Sequence, residues 1–325
     1  MPRLALEPAD YPFFDYRRFT FSLGIVAGEN IWLSGSTAVR FDAARKIMVV
    51  DGDLVEQARV IFDKMRLTLA AGGLGLRDIV RIVQYVTPGA LADLPRLSAF
   101  VGGLLPGTAP TVSTVVVKSL LRNEALIEIE AVATRGDGPK VEYLPSVTGS
   151  DCHKTWSRAD ELLASRGLAQ NHVLRTVEFL TPGAAPHAGQ HDGKAGTVLQ
   201  VLMPRLVDDD AGVQLELGAS RDAGGDVVFV TAVGDPAAGD VAGQCREIYA
   251  RLGKRLAACG AGLDMVVKTT EFVTPEGLSG YRKTADVRRE VFAQPFPAAT
   301  GVVCEGLPAT GAQIAVEAVA VRAPR

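Results

Sequence analysis

The chain has 325 residues, of which 47% are hydrophobic and 22% are charged, and its formal net charge is -3 at pH 7. This composition is typical of a globular protein with a large core, and it gives no reason to expect nucleic acid or an anionic membrane as partner. No apolar stretch is long enough to span a bilayer, and an acid and a proline interrupt the N-terminus where a signal peptide needs an apolar run. The four cysteines lack metal or redox spacing, so we expect reduced thiols in a cytoplasmic protein.

The first part of the chain predicts a mixed sheet with helices on one face. Asp53 can cap the first helix, and Pro88 ends the strand that follows, because proline cannot donate into a ladder. The predicted elements, in chain order, are a hairpin turning at residues 28–30, a helix over 54–69, a strand over 79–86, a helix over 94–101, and strands over 112–118 and 126–133. This order predicts an α+β fold.

One strand-like pattern occurs three times, at residues 78–88, 172–182 and 265–275. Each occurrence is followed by a second strand-like run that contains a glutamate; these are Glu130, Glu216 and Glu317. Thr87 and Thr274 are 187 positions apart, and so are Glu130 and Glu317, which puts the first and third repeats in one register. Three related units favour a closed three-fold arrangement, fused covalently, with chemistry in the clefts between units.

We divide the chain into unit one (residues 1–139), unit two (140–222) and unit three (223–325). Unit three repeats the plan of unit one, but unit one has ten more residues before its first helix, and we expect this longer connection to be a loop. Unit two is degenerate: its first helix is short, about residues 156–165, no full hairpin precedes it, and a loop after Pro182 replaces the second helix. Unit two is therefore expected to complete the ring but to have lost one cleft.

Several features of units one and three resemble the RidA/YjgF family of reactive-intermediate deaminases. They are Ser34-Gly35 at the hairpin end, Gln57 near the helix start, Ala71-Gly72 before a strand, Pro110, and the closing strand at 127–133. The resemblance implies three chorismate-mutase-like units fused as a pseudo-trimer, with active sites at the interfaces. It also implies hydrolysis of enamines or imines, such as 2-aminoacrylate or 2-aminomuconate, and we expect no cofactor.

The family's deaminases bind the substrate carboxylate with an arginine placed two residues after a proline, since its planar fork matches a carboxylate. The equivalent positions are Val112, Val198 and Ala299, so this arginine is absent from all three units. A family tyrosine is also replaced, by Phe21, which we retain as a substrate-binding candidate. The candidates for a replacement cation are Arg205, which we select as substrate-binding, and Arg81, Arg175 and Lys268.

The resemblance aligns the family's glutamate with Glu128, and Gln214 and Ala315 stand at the equivalent positions. A carboxyl group in an interface cleft has a raised pKa and can act as a general acid or base. We therefore predict that Glu128 is catalytic, with Glu317 as a second candidate. The alternative is that Glu317 and its two equivalents pair across unit interfaces. Ser34 and Thr231 end hairpin strands and are predicted to bind substrate, although such hydroxyls also cap turns.

All four histidines lie in unit two, and His187 and His191 are four residues apart. Together with Asp192 they could bind zinc, but Pro186 and neighbouring glycines disfavour the helix that this spacing would need. A second interpretation places His187 or His191 over a neighbouring cleft as a substrate ligand or proton carrier. A third is a solvated surface loop. We predict no metal and keep both histidines as catalytic candidates.

The sequence thus favours a hydrolytic deaminase with a small-molecule substrate, acting as a monomeric pseudo-trimer or a low-order oligomer of it. Two alternatives remain open. The first is a chorismatase-like hydrolase, since those enzymes also resemble fused copies of this fold. The second is a non-catalytic small-molecule-binding protein, consistent with the loss of the arginine from every unit.

Overall fold

A computed structural model describes residues 3–136, 141–184, 196–222 and 225–322. Unit one contains β1 (Leu4–Ala5), β2 (Gly24–Ala27), β3 (Asn30–Leu33), β4 (Arg40–Asp42), β5 (Ile47–Val49), α1 (Leu54–Ala70), β6 (Ile79–Val86), α2 (Leu94–Leu104), β7 (Thr111–Val116), β8 (Ser119–Leu120) and β9 (Ile127–Thr134). Unit two contains β10 (Glu142–Tyr143), β11 (Val147–Gly149), α3 (Cys152–Ser165), β12 (Val173–Leu180), β13 (Thr197–Leu202) and β14 (Val213–Ala219). Unit three contains β15 (Val227–Val233), α4 (Val241–Ala258), β16 (Val266–Val273), α5 (Pro275–Leu278), α6 (Thr284–Val291), β17 (Ala298–Val303) and β18 (Ile314–Val321).

Each unit contributes one mixed sheet, which confirms the predicted α+β fold. The strand orders are β1-β2-β3-β9-β6-β7, β10-β14-β12-β13 with β11 beside β14, and β15-β18-β16-β17-β8. In each sheet the repeated strand pairs in parallel with the strand after it, as β6 with β7, β12 with β13 and β16 with β17. Strand β8 crosses from unit one to pair with β17 of unit three, so these two units share a sheet edge.

The first and third units are equivalent down to individual hydrogen bonds. The Gln57 side chain in α1 donates to the carbonyls of Gly52 and Glu124 and accepts from the backbone N–H of Leu126. Gln244 in α4 makes the same three bonds, to Gly239, Gly311 and Gln313. These buried amides tie each helix start to the turn before the closing strand.

The helices cover one face of each sheet, and the opposite faces meet at the centre of the ring. Tyr85, Phe179 and Phe272 occupy equivalent positions of β6, β12 and β16 and are all buried in one apolar cluster. The ring centroid of Phe272 lies 6.5 Å from that of Tyr85 and 5.9 Å from that of Phe179, and both contacts are edge-to-face. Because one residue from each unit meets at this point, the three units close around a pseudo-three-fold axis.

Three buried ion pairs link the units in a closed circuit, which we call the central ion ring. The nitrogen–oxygen distances are 2.6 Å for Arg81–Glu216, 2.6 Å for Arg175–Glu317 and 3.0 Å for Lys268–Glu130. In each pair the cation comes from one unit and the carboxylate from the next. Although burial raises the pKa of Glu130, Lys268 and Arg81 hold it down at about 2. The central ion ring is thus the interface pairing that the sequence offered as the alternative for these glutamates.

The structure departs from the sequence-based expectation in two places. The longer connection before α1 was expected to be a loop, but it folds as the β4–β5 hairpin. Helix α3 begins at Cys152, earlier than expected, because the Asp151 side chain accepts from the backbone N–H of Lys154 and caps the helix there. No helix in the described ranges combines the length and apolar character needed to cross a membrane.

A single chain supplies all three units, so we expect the native mass to equal one chain or a pair of chains. Size-exclusion chromatography with light scattering measures this directly. A particle containing three chains would contradict closure of the ring within one chain.

Candidate active site

A cavity of about 760 Å³ lies between units one and three, and we call it the one–three cavity. Its volume is in the range of small-molecule sites. Unit one contributes Ser34 and Glu128 to its wall, and unit three contributes Ala299, Thr300 and Gly301 from β17. The cavity is therefore built at an interface between units, where the resemblance implied that an active site would lie.

Hydrogen bonds across this interface fix the strand ends that carry the site. The Ser34 hydroxyl donates to the carbonyl of Ser22 at 2.6 Å and accepts from the backbone N–H of Ala299 at 2.8 Å. The N–H of Gly35 lies 3.0 Å from the Ala299 carbonyl and 2.9 Å from the Thr300 hydroxyl. Since the Ser34 proton is already donated, this hydroxyl can accept a hydrogen bond from a ligand but is not free to donate one.

The Glu128 carboxyl group is buried on the cavity wall, with 6% of the residue exposed. Burial raises its pKa to about 8, since nearby Glu130 adds to the desolvation and the ammonium groups of Lys268 and Lys64 offset only part of it. At neutral pH the group therefore holds its proton, which suits a general acid. Gln214 and Ala315, at the two equivalent positions, are buried and carry no acid.

Lys64 is a second titratable group on the cavity wall, and it was not predicted from the sequence. Its ammonium nitrogen donates to the carbonyls of Thr37 at 2.7 Å and Val39 at 2.5 Å, and it lies 5.1 Å from the Phe14 ring centroid. Burial lowers the pKa of Lys64 to about 7, although Glu128 pulls it upward. Its burial could have been predicted, because Lys64 lies three residues after the apolar residue Ile61 and therefore on the same, buried face of α1.

An aromatic segment near the N-terminus forms another wall of the cavity. Tyr11, Phe14, Phe19 and Phe21 line it and pack against one another, with ring centroids 5.5 Å apart for Tyr11–Phe14 and 5.7 Å for Phe14–Phe19. Phe21, a predicted substrate-binding residue, lies in this wall. The other three were not identified as site residues from the sequence, because Tyr11 and Phe14 lie in a segment without helical or strand periodicity and Phe19 belongs to an alternating run typical of a strand.

Several arginines line the cavity, namely Arg18, Arg122, Arg282, Arg288 and Arg289. Arg288 differs from the others because its guanidinium is largely buried and paired with Glu271 at 2.7 Å. The cations predicted from the sequence were different ones. Of these, Arg81, Arg175 and Lys268 belong to the central ion ring, and Arg205 pairs with Asp209 on the surface, away from the cavity.

The structure brings together three of the eight predicted site residues, Glu128, Ser34 and Phe21. Glu317 instead binds Arg175 through both carboxylate oxygens, at 2.6 and 2.9 Å, in the central ion ring. The Thr231 hydroxyl donates to the Val198 carbonyl at 3.2 Å, at the interface of units two and three. The candidates His187 and His191 lie outside the described residues.

The family model described as Endoribonuclease L-PSP matches residues 17–135 and 224–322, which are most of units one and three. Protein DfrA from Myxococcus xanthus is 32% identical over 115 residues, covering 35% of this chain and 83% of that protein. A RutC family protein from Pyrococcus horikoshii is 26% identical over 113 residues, covering 35% of this chain and 85% of that protein.

Solved structures of two bacterial proteins also match. YyfA from Yersinia pestis, a member of the conserved Rid protein family, is 22% identical, with a TM-score of 0.35, and the match covers 41% of this chain and 99% of that one. TdcF from E. coli, crystallised with bound serine, is 23% identical, with a TM-score of 0.32, and the match covers 39% of this chain and 100% of that one. Each match covers about two fifths of the present chain.

Proposed function

We propose that this chain, which belongs to the RidA/YjgF family represented by the Endoribonuclease L-PSP model, is a hydrolytic deaminase of an enamine or imine metabolite. The one–three cavity would be its active site. The observation that carries the proposal is the buried Glu128 carboxyl group, whose pKa is raised to about 8 and which lines this cavity. It is the only acid among the three equivalent positions at the unit interfaces.

The reaction needs one group that gives a proton and then takes one back. Protonated Glu128 donates its proton to the enamine carbon, which leaves an iminium ion and a carboxylate. The carboxylate accepts a proton from a water molecule as the water oxygen adds to the iminium carbon. Glu128 then gives this proton to the amine nitrogen, the carbon–nitrogen bond breaks and ammonia leaves. Glu128 recovers a proton from the hydroxyl group, which becomes the carbonyl oxygen of the product. An imine first takes the proton of Glu128 on its nitrogen and so enters the same sequence as the iminium ion.

Within this proposal, the other predicted residues take supporting roles. Ser34 holds the strand ends of units one and three together and accepts a hydrogen bond from the ligand. Phe21 contributes an apolar face to the ligand. Glu317 is assigned a structural role in the central ion ring, because both its oxygens are bound to Arg175.

The second candidate function is a chorismatase-like hydrolysis, and the composition of the cavity favours it. A volume of about 760 Å³, five aromatic side chains and several arginines would suit a cyclic, unsaturated dicarboxylate. In that reaction water would displace the enolpyruvyl side chain, and pyruvate would be released without ammonia.

Product analysis separates these functions. Purified protein is incubated with 2-aminoacrylate generated in situ, with 2-aminomuconate and with chorismate, and ammonia and pyruvate are measured above the uncatalysed background. Ammonia release from an enamine supports the deaminase, and pyruvate release from chorismate supports the hydrolase. Saturable binding of these compounds with no turnover of any would contradict both and favour a binding protein.

Because Gly35 has no side chain, the Glu128 carboxyl group can occupy the space beside its Cα atom. A Cβ atom at this position would lie 2.1 Å from Glu128 Oε1 and 2.8 Å from the Thr300 side chain. We therefore expect Gly35→Ala to displace Glu128 and to lower kcat/KM about tenfold or more, since small misplacements of a catalytic group have large effects. Steady-state kinetics and thermal unfolding measure the two consequences.

Gly102→Ala in α2 is the matched control, because no atom lies within 4 Å of a Cβ placed there. We expect it to leave the kinetics unchanged and to raise stability by roughly 0.5–1 kcal/mol, as alanine loses less backbone entropy in a helix. Unchanged kinetics in Gly35→Ala would show that the position of Glu128 does not limit the reaction.

A further inference from the structure

At the position of the family's carboxylate-binding arginine, unit three has Ala299, whose side chain is only a methyl group in the one–three cavity. Ala299 is half-buried on the cavity wall, and both its backbone N–H and its carbonyl are bound by the neighbouring unit, to Ser34 and Gly35. Neither its side chain nor its backbone can therefore bind an anion. A carboxylate in this cavity needs a donor from another element.

Arg288 of α6 meets that need from the same unit. Its Nη1 atom donates to both oxygens of Glu271, at 2.8 and 2.7 Å, and its Nε atom donates to the Thr20 hydroxyl at 3.1 Å. Glu271 is fully buried and also accepts from the hydroxyls of Tyr249 and Tyr281. The guanidinium is thus held in one orientation before any ligand arrives.

One edge of this guanidinium is left without a partner among the described residues. Arginine carries five N–H donors, and the two on Nη2 of Arg288 bind no residue in the part of the chain that the structure describes. Arg288 lines the cavity together with Ala299. A fixed guanidinium with unused donors is suited to recognise a carboxylate without further ordering.

The cavity carries further positive charge that no described residue neutralises. Arg122, half-buried in the turn between β8 and β9, and Arg282, just before α6, form no ion pair with any described residue and both line the cavity. Arg289, by contrast, pairs with Asp286 at 2.6 Å. Uncompensated cations beside a low-dielectric wall attract a ligand with more than one negative charge.

We infer that Arg288 replaces the missing family arginine as the carboxylate-binding residue, and that the cavity accepts an unsaturated dicarboxylate. The first carboxylate binds the free edge of Arg288, and the second meets Arg122 or Arg282. The aromatic wall of Tyr11, Phe14 and Phe21 covers the unsaturated carbon chain between them. This inference rests on the one–three cavity being the active site proposed above.

Binding of stable probes tests the inference without requiring turnover. Isothermal titration calorimetry compares cis,cis-muconate, a dicarboxylate, with sorbate, which has a similar diene chain but one carboxylate. We expect the wild type to bind muconate at least about tenfold more tightly than sorbate, as a charged hydrogen-bonded contact is worth that much. Equal affinities, or no binding of either probe, would overturn the dicarboxylate assignment.

Variants then test the residue. We expect Arg288→Gln to weaken muconate binding at least about tenfold, whereas Arg246→Gln, which breaks an arginine–glutamate pair in unit three outside the cavity, should change nothing. If Arg288→Gln does not fold, Arg288→Lys keeps the charge beside Glu271 but lacks the fork, and it should show a similar loss. A folded Arg288 variant that binds muconate like the wild type would overturn the role of Arg288.

Rescue distinguishes ligand binding from mere packing. Adding Ala299→Arg to Arg288→Gln restores a guanidinium at the family position, and we expect it to recover muconate affinity. A purely structural role for Arg288 predicts no recovery. Because these measurements use binding alone, they can succeed even if the deamination assay fails, and the two proposals can be told apart.

Discussion

Replacement of Glu128 by glutamine is expected to lower kcat/KM about a hundredfold or more. Glutamine has nearly the same size and can still accept a hydrogen bond, but it cannot give a proton to the substrate or take one from water. General acid–base catalysis typically contributes about 10²–10⁴-fold. Steady-state kinetics of ammonia release measure the effect. Glu124→Gln, an exposed acid near the same closing strand, is the control and should retain full activity.

The pH dependence of the rate should follow the same group. Because the pKa of Glu128 is about 8, the protonated form predominates at pH 7, and a rate that depends on its proton should fall as the pH rises through about 8. Lys64, with a pKa of about 7, also changes charge on the cavity wall in this range. A wild-type rate that stays constant from pH 6 to about 9 would contradict the role of Glu128 as acid.

The stability of Glu128→Gln provides a test independent of the substrate. The pKa of Glu128 is about 8 in the native protein and ordinarily 4.5, so between these values the native state holds a proton that the unfolded state has lost. This contribution to the free energy of unfolding decreases as the pH rises through that window. In Glu128→Gln this decrease in the free energy of unfolding is absent, because glutamine does not titrate. We expect the variant to gain on the order of 2–4 kcal/mol relative to wild type between pH 5 and 8.

Lys64 shifts stability in the opposite direction and in a different window. Its pKa is about 7 in the native protein and ordinarily 10.5, so its contribution rises with pH between these values. The comparison of Glu128→Gln with wild type is therefore clearest between pH 5 and 7. Urea unfolding at several pH values measures it, and identical pH profiles for the two proteins would contradict the raised pKa.

Replacement of Arg175 by methionine should be among the most destabilising single changes in the chain. The substitution leaves Glu317 and Glu216 buried without the cation that lies between them. Removal of one member of a buried charge network typically costs about 3–5 kcal/mol. Chemical denaturation measures the loss, and adding Glu317→Gln should recover part of it by removing the stranded charge.

Arg205→Met is the matched control from the same unit. Arg205 forms an ion pair with Asp209, four residues further along the same loop, and both side chains are exposed. Such surface pairs contribute about 0–1 kcal/mol, so the substitution should hardly change the unfolding midpoint. Similar losses in Arg175→Met and Arg205→Met would show that the central ion ring does not hold the units together.

Repetition made much of this architecture predictable. The equal spacing of Thr87 to Thr274 and of Glu130 to Glu317 placed the repeats in one register, and the closed ring follows from three such units. The family resemblance placed a functional glutamate at Glu128, and the register then showed that Gln214 and Ala315 are its equivalents, so only unit one kept an acid. Strand periodicity sets which face a side chain occupies, so these inferences needed no tertiary information.

The rest of the site depended on contacts between distant parts of the chain. Arg288 and Thr20 meet only because α6 packs beside the N-terminal segment, and no local pattern encodes that contact. Ser34 and Thr231 end equivalent strands, yet Ser34 lines a large cavity whereas Thr231 is bonded to Val198 across the next interface. The difference lies in how closely neighbouring units pack, which depends on side chains from both.

The unequal triplet of Glu128, Gln214 and Ala315 has a consequence for how such a ring can change over evolution. In a ring of three identical chains, every substitution occurs three times, and each interface must both hold the ring together and carry out the chemistry. Here each interface between units is encoded by different residues, so a mutation can change one interface without changing the other two. Two interfaces between units are free to specialise in holding the ring together, while the third keeps the buried carboxyl group of Glu128. Under the proposed function, one chain should therefore bind one ligand.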